Sequence, residues 1–411
     1  MCVRSTFFST RGLLEFSSFS SVRFNVLSPF SIYFECSRMQ FVLFTMTIRN
    51  NEIESSAKAR QRWAKLRSAI VGGTSNPAEP EFQGFQLLKR TPLSVQDENG
   101  YEFWRYEIPL SDDQITVVTR EKAQRSHSKL KCEELFADLY FGVDNTSNVK
   151  VWDSEGILTY WLLQILDKHK DYTNEAMDWI RYWCTENQHH AYLRICELGC
   201  GMAGIAGLAL ASYFQRQACS RQVQVVLTDG HPNAVQNNLK CVQLTWHHSQ
   251  NICNDNVAIS TQRLLWDDST NGAQSCLQLI KNHQAPFQLM MVSDCLHFVD
   301  FHVALAATIG RLLDSNGGVC ILCQPPRGTS MQKFINLLTH LNTTRTEGPI
   351  FEISLLDHYD PQISLVHQQY VVDSCRTYDP NKHYPQMLIL RKLRSFNEVP
   401  DISIMKQSYS L

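Results

Sequence analysis

The sequence predicts an α/β fold: a seven-stranded, mostly parallel sheet with helices on both faces, behind a small N-terminal α+β leader. Three observations predict it. From about residue 140, apolar runs of strand length alternate with longer runs of helical period, the pattern of a parallel sheet covered on both faces. The first run after two helices leads straight into a glycine-rich turn, Glu197-Leu198-Gly199-Cys200-Gly201-Met202-Ala203-Gly204. Polar or aromatic residues stand at four strand ends, Glu197, Asp229, Trp266-Asp267 and Asp294. Ligands of open α/β sheets bind at such ends.

Residues 1–48 differ from the rest. They hold nine of the 21 phenylalanines, nine serines and four arginines, with only Glu15 and Glu35 as acids. They show neither sustained helical periodicity nor a secretory apolar core with a cleavage site. We expect an unstructured or mis-translated extension, with the true start near Met39 or Met46, in preference to a mitochondrial transit peptide. Residues 49–140 form the α+β segment. A basic helix is expected over 57–70, with Trp63 and Leu66 on one face. Strands follow at Phe82 to Leu88, Tyr101 to Ile108 and Ile115 to Val118, joined by polar turns such as Asp97-Glu98-Asn99-Gly100. Two basic clusters, Lys58, Arg60, Arg62, Lys65, Arg67 and Arg120, Lys122, Arg125, Lys129, Lys131, read as solvated faces or as a docking surface for an acidic protein.

Residues 141–393 carry the sheet, and 394–411 read as a tail. Helices are expected at Ser154 to Lys168 and Asn174 to Cys184, then a strand over Ala191 to Leu198 and a helix from Ile205 to Phe214. Further strands run Gln222 to Leu227, Val257 to Leu265, Phe287 to Ser293, Val319 to Cys323, Phe351 to Leu356 and Gln386 to Leu390. Helices Val303 to Leu313 and Met331 to Leu341 intervene. No helix is evident between the last two strands, so one of them should run antiparallel.

Gly199-x-Gly201-x-x-Gly204 fits a Rossmann-like dinucleotide turn, in which glycines bring backbone N–H groups close to a ligand. A pyrophosphate would rest on the helix N-terminus. Glu197 brings charge of the wrong sign for it and suits a phosphate-free ligand with a cationic end. S-adenosylmethionine, with an ammonium and a sulfonium, is such a ligand. Asp229 ends the next strand, where an acid can accept both ribose hydroxyls, or it caps the helix beginning near Pro232.

Apolar content of 44% and charged content of 19% suit a soluble globular protein. A net charge of −2 gives no general reason for nucleic-acid binding. No apolar run reaches the roughly 18 residues needed to span a bilayer. The 14 cysteines are scattered. Cys320 and Cys323 should face opposite sides of one strand. We read the cysteines as reduced thiols of a cytoplasmic protein and expect no metal site. His189-His190 and His247-His248 read as surface histidines.

The chain resembles the seven-strand, class I S-adenosylmethionine-dependent protein-lysine methyltransferases that act on non-histone proteins, in particular those whose substrate is calmodulin. The residues that carry the resemblance are Asn145 to Trp152, Cys196 to Met202, Leu227-Thr228-Asp229-Gly230, Leu265-Trp266-Asp267, Ser293-Asp294-Cys295-Leu296, Arg327-Gly328 and His383-Tyr384-Pro385. It spans roughly residues 57 to 393. The resemblance implies S-adenosylmethionine as cofactor, calmodulin as protein substrate, up to trimethyllysine as product, a monomer, and the cytoplasm, with the nucleus as a second compartment. It implies that Glu197, Gly199 and Gly201 surround the methionine part of the cofactor, that Asp229 holds the ribose, that Trp266 borders the adenine, and that Trp152 lines the pocket. Asp294 stands where the lysine arrives. Relatives often have Tyr or Phe three residues after that acid; His297 stands here, beside Phe298, so Asp294 and His297 are the catalytic candidates. Gln324-Pro325-Pro326 before Arg327 also departs from the more basic step expected there.

The plainer readings are that Trp266 is core packing, Asp294 a helix cap and His297 a surface residue. Two other functions use the same pattern: an NAD-dependent oxidoreductase, and a catalytically silent scaffold of this fold. Glu197 speaks against the first, and the set Glu197, Gly199, Gly201, Asp229 against the second.

Overall fold

The computed structural model describes residues 82–96, 101–122, 151–167, 174–186, 191–217, 221–248, 255–373, 375 and 377–408. All fall in one compact unit, Ser75–Leu411. The expected helix over 57–70, the turn 97–100 and the segment Asn145 to Lys150 lie outside the described residues.

Three antiparallel strands come first: β1 (Lys89–Gln96), β2 (Tyr101–Pro109) and β3 (Gln114–Lys122). The run expected as a strand at Phe82 to Leu88 is not one. Gly84 and Gln86 have φ of 82° and 50°, and two left-handed residues so close together break an extended chain. The free edge of β3 is covered by α4 (Pro232–His248). The Thr245 hydroxyl accepts from the Val118 amide (3.0 Å), and Asn237 donates to the Arg120 carbonyl (2.6 Å). Side chains thus satisfy groups that an open edge would offer to another chain.

The second sheet has seven strands: β4 (Tyr192–Leu198), β5 (Gln222–Asp229), β6 (Val257–Arg263), β7 (Leu289–Ser293), β8 (Val319–Gln324), β9 (Phe351–Leu356) and β10 (Gln386–Lys392). Their order is β6-β5-β4-β7-β8-β10-β9. All pairs are parallel except those of β10, which runs antiparallel to both β8 and β9. One antiparallel strand was expected, but the connection before it does contain helices, α8 (Pro361–Val372) and α9 (Pro380–His383). Each starts on an Asp-Pro step, with Asp360 or Asp379 accepting from the first turn.

Strand alternation builds two cores. Leu193 and Ile195 face one layer, with α1 (Asp153–Leu166), α2 (Glu175–Arg181), α3 (Ile205–Arg216) and the three-stranded sheet. Cys196 and Leu198 face the other, with α5 (Thr270–His283), α6 (His302–Leu312), α7 (Ser330–Thr344) and α10 (Glu398–Gln407). Cys320 and Cys323 fall on opposite sides, as their spacing requires. The stretch read as a tail is therefore partly a packed helix. Met405 is fully buried, Arg311 grips the Glu398 carboxylate with two bonds (2.8 and 2.7 Å), and Arg345 meets Asp401 (3.3 Å). No helix among the described residues is long and apolar enough to cross a membrane.

From β4 the chain steps outward through β5 to β6, then returns to β7 on the other side of β4. The crevice at this reversal, at the carboxyl ends of β4 and β7, is where such sheets hold ligands.

Candidate active site

The turn after β4 is held to the neighbouring strand. The Cys200 amide donates to the Thr228 carbonyl (3.0 Å), and the Thr228 hydroxyl to the Glu197 carbonyl (2.8 Å). Gly199, Gly201 and Gly204 have φ of 63°, 58° and 54°, a region that L side chains rarely adopt. Behind the turn α3 packs onto β5 so closely that a Cβ on Gly207 would stand 2.3 Å from Leu227 Cδ2 and 2.9 Å from Glu197 Oε2.

No side chain of its own caps α3; Gly204 is its N-cap residue. Two buried carboxylates from elsewhere do so instead. Glu155 of α1 accepts from the Ile205 amide (2.7 Å), and Glu197 from the Gly207 amide (2.8 Å). The second oxygen of Glu197, Oε1, is buried and has no hydrogen-bond partner. Burial pushes Glu197 up to about 8 against the pull of the Gly207 amide, and the Asp229 charge adds to the rise. Burial, followed by the Glu197 charge, raises Glu155 well above the carboxylate range.

Asp229 completes an acidic trio. Its oxygens accept from the Gly201 amide (3.0 Å) and the His231 amide (2.7 Å). It thus joins the glycine turn to the residue before α4, but it does not cap that helix: the Asn233 amide of the first turn donates to His231 Nδ1 instead (3.2 Å). Burial raises it to about 6, with both amides opposing.

On the other wall, a Cβ on Gly199 would stand 2.9 Å from Trp266 Cζ2 and 2.8 Å from Cys295 Sγ. Trp266, half-buried after β6, therefore closes over the turn, and Cys295 sits beneath it. Its neighbour Asp267 accepts from the amide and hydroxyl of Ser269 (2.8 and 2.7 Å) at the start of α5. Asp267 is thus a structural turn residue.

Asp294 follows β7 with φ of 50°. It receives Arg327 Nε on Oδ1 (2.8 Å) and Arg327 Nη2 on Oδ2 (2.5 Å), and Gln324 Nε2 also donates to Oδ1 (3.1 Å). Asp294 is therefore no helix cap. Arg327 has φ of 45°, and its amide donates to the Asn381 carbonyl (2.8 Å), which brings α9 and His383 to the same end of the sheet. His297 is exposed and meets Phe298 edge to face, ring centroids 4.6 Å apart. Trp152 is half-buried immediately before α1, one helical turn from Glu155.

Glu197, Gly199, Gly201, Asp229, Trp266 and Asp294 thus gather at one edge of the sheet. Arg120, one of the basic residues expected to dock a partner, is not available to one. Arg120 is buried, lies 3.5 Å over the Tyr101 ring and bonds Asn237 (2.7 Å). Lys58 to Arg67 and Arg125 to Lys131 lie outside the described residues. Sequence reading missed Glu155, Gly207, Gln324 and the partnership of Arg327. Glu155 had a signal: an acid in the first turn of an otherwise apolar helix.

Three buried acids around one glycine turn favour a ligand that brings positive charge. A pyrophosphate would find the Ile205 and Gly207 amides taken by carboxylates. Among the described residues no group of three or more His, Cys, Asp or Glu is placed to hold a metal ion.

A family model described as lysine methyltransferase matches residues 140–341. Over these residues, just under half of the chain, the protein is similar to a lysine methyltransferase domain. A calmodulin-lysine N-methyltransferase of Arabidopsis thaliana is 23% identical over 351 residues, covering 81% of this chain and 97% of the relative. Two solved structures are similar at lower levels. The O-methyltransferase segment of StiE has a TM-score of 0.30 and 11% identity, covering 53% of this chain and 74% of its own. A phosphoethanolamine N-methyltransferase of Haemonchus contortus has a TM-score of 0.29 and 12% identity, covering 62% and 53%. Scores this low carry no weight beside the strand order. The cofactor is S-adenosylmethionine and the reaction is methylation of protein lysine. The orphaned Glu197 oxygen and the acidic trio fit a cationic cofactor.

Proposed function

We propose that this protein methylates a lysine of calmodulin. The observation that carries the cofactor half of this reading is the buried trio Glu155, Glu197 and Asp229, gathered around the glycine turn. Glu197 would take the ammonium end of the cofactor, Asp229 the ribose hydroxyls, and Trp266 the flat adenine face, with Trp152 at the pocket wall. When bound, S-adenosylmethionine would supply an electrophilic methyl group to the lysine nitrogen, with the C–S electron pair left on sulfur and the extra proton of the product nitrogen passing to water.

The chain's own residues have limited chemistry to perform. The lysine must arrive neutral, although free lysine has a pKa of about 10.4. Asp294 orients the amine, and most of the rate comes from alignment. His297 and Phe298 stand beside it, where an aromatic face can stabilise a growing methylammonium.

Support for calmodulin comes from the Arabidopsis relative, whose match spans 81% of this chain. We place the protein in the cytoplasm and nucleus. Its described cysteines are free thiols, in keeping with a reducing compartment. The test is transfer of labelled methyl from S-adenosylmethionine to a panel of purified proteins that includes unmethylated calmodulin. Label on a calmodulin lysine is the expected result. Label on another protein, with calmodulin untouched, removes calmodulin but keeps the chemistry. Label on none supports the silent scaffold.

A further inference from the structure

Asp294 presents a difficulty for lysine chemistry. A lone carboxylate beside an amine favours the ammonium, which has no lone pair to attack with. In this structure the carboxylate is not alone. Arg327 holds both oxygens with the two parallel bonds typical of a guanidinium–carboxylate fork, and Gln324 adds a third. The side chains are only 9% (Asp294) and 20% (Arg327) exposed, so water screens the pair weakly. Both residues adopt left-handed backbone, φ 50° and 45°, which costs free energy in any residue but glycine. Paired outliers at the end of the sheet point to a geometry kept for use.

We propose that Arg327 is a positioning residue that sets the protonation state of the substrate lysine through Asp294; the proposal rests on the protein-lysine methyltransferase reading. A carboxylate offers about four acceptor directions. Among the described residues three are filled, two on Oδ1 and one on Oδ2. The remaining direction on Oδ2 can accept one N–H of a neutral amine, leaving the nitrogen lone pair free. Because Arg327 cancels the Asp294 charge, the pair orients the amine without stabilising its extra proton. The proton lost on arrival goes to water; that lost after transfer follows it.

Other titratable groups around the pair do not interfere in the alkaline range. His297, on the same loop, and His383, on α9, both titrate below the usual histidine range; for both, loss of water around the ring comes first, partial at the exposed His297, where the Arg327 charge adds to it. They are neutral above pH 8. Cys295 and Cys323 are raised well above the ordinary thiol range, chiefly by burial, and keep their protons. Asp379 is lowered, with Lys382 bonded to it against the effect of burial. Asp153 also acts on His383. Tyr378 is raised beyond the range by burial.

The test is the pH dependence of kcat/KM for methylation of the protein lysine between pH 7 and 10, for wild type, Arg327→Gln, Asp294→Asn and the double variant. Arg327→Gln leaves a net negative site, so its rising alkaline limb should move up by about one pH unit. Asp294→Asn should move it down, and the double variant should return it to near wild type. Should Arg327→Gln fail to fold, Arg327→Lys gives the second reading. It keeps the charge but loses the fork, so kcat should fall with the limb in place. A uniform loss at every pH in Arg327→Gln, with the limb unmoved, makes Arg327 merely structural and overturns the proposal. A limb in Arg327→Lys displaced upward does the same. A wild type that binds S-adenosylmethionine yet methylates no lysine overturns the functional reading, and this inference falls with it.

Discussion

At the scale of single residues, the site is built on carboxylates kept where water cannot reach them. Glu197 has the clearest consequence. Its folded pKa, about 8, lies above the ordinary carboxylate value of 4.5. The folded protein therefore holds a proton that the unfolded chain releases, and stability falls as pH rises from about 4.5 to about 8. Glu197→Gln removes the charge at nearly constant shape. Its melting temperature without cofactor should exceed that of wild type at pH 8, and the difference should vanish near pH 4. The same variant should bind S-adenosylmethionine about tenfold or more weakly, since a hydrogen bond to a charged group is worth about 1.5–3 kcal/mol. A variant that loses both stability and binding at pH 8 would make Glu197 a plain cap of α3. Asp229 and Asp294 were visible in the sequence as acids at strand ends. The fork from Arg327 was not, because 33 residues separate the partners and no local pattern links them.

At the scale of elements, fit between α3 and β5 decides the shape of the glycine turn. Alanine normally stabilises a helix relative to glycine by about 1 kcal/mol. At Gly207 the new methyl would press on Leu227 and on the Glu197 carboxylate, and overpacking of this kind costs about 1–3 kcal/mol. Gly207→Ala should therefore lower the urea midpoint; a raised midpoint would mean that α3 does not pack as described. Strands β4, β5, β7 and β8 were legible because they are largely buried on both faces and read as mostly apolar runs. α5 was not, because its buried face is only Gly272, Cys276 and Leu279. Phe82 to Leu88 misled for the opposite reason. It is apolar enough for a strand, but its aromatic rings turn aside to pack on Tyr370, Tyr378 and Tyr384.

At the scale of the whole molecule, the seven-stranded sheet and its helices are completed by segments outside the alternating pattern. β3 leans on α4, and α10 closes the far layer. Met405→Ala should cost about 2–5 kcal/mol, the range for emptying a buried methionine site, and show as a lowered thermal midpoint. An unchanged midpoint would return residues 394–411 to the status of a tail. The order of strands and the place of the crevice followed from alternation along the sequence. The neutralised Asp294 and the doubly capped α3 did not, since they depend on side chains that only the folded chain brings together. The central claim is that a buried acidic trio receives a cationic cofactor. Calorimetric titration of the protein at pH 7 with S-adenosylmethionine and with NAD, each in two buffers of different ionisation enthalpy, tests it most directly. S-adenosylmethionine should bind with release of protons, because its positive charge draws Glu197 back toward the ionised form, and NAD should not bind. Binding of NAD, or binding of S-adenosylmethionine with no buffer dependence, would contradict it.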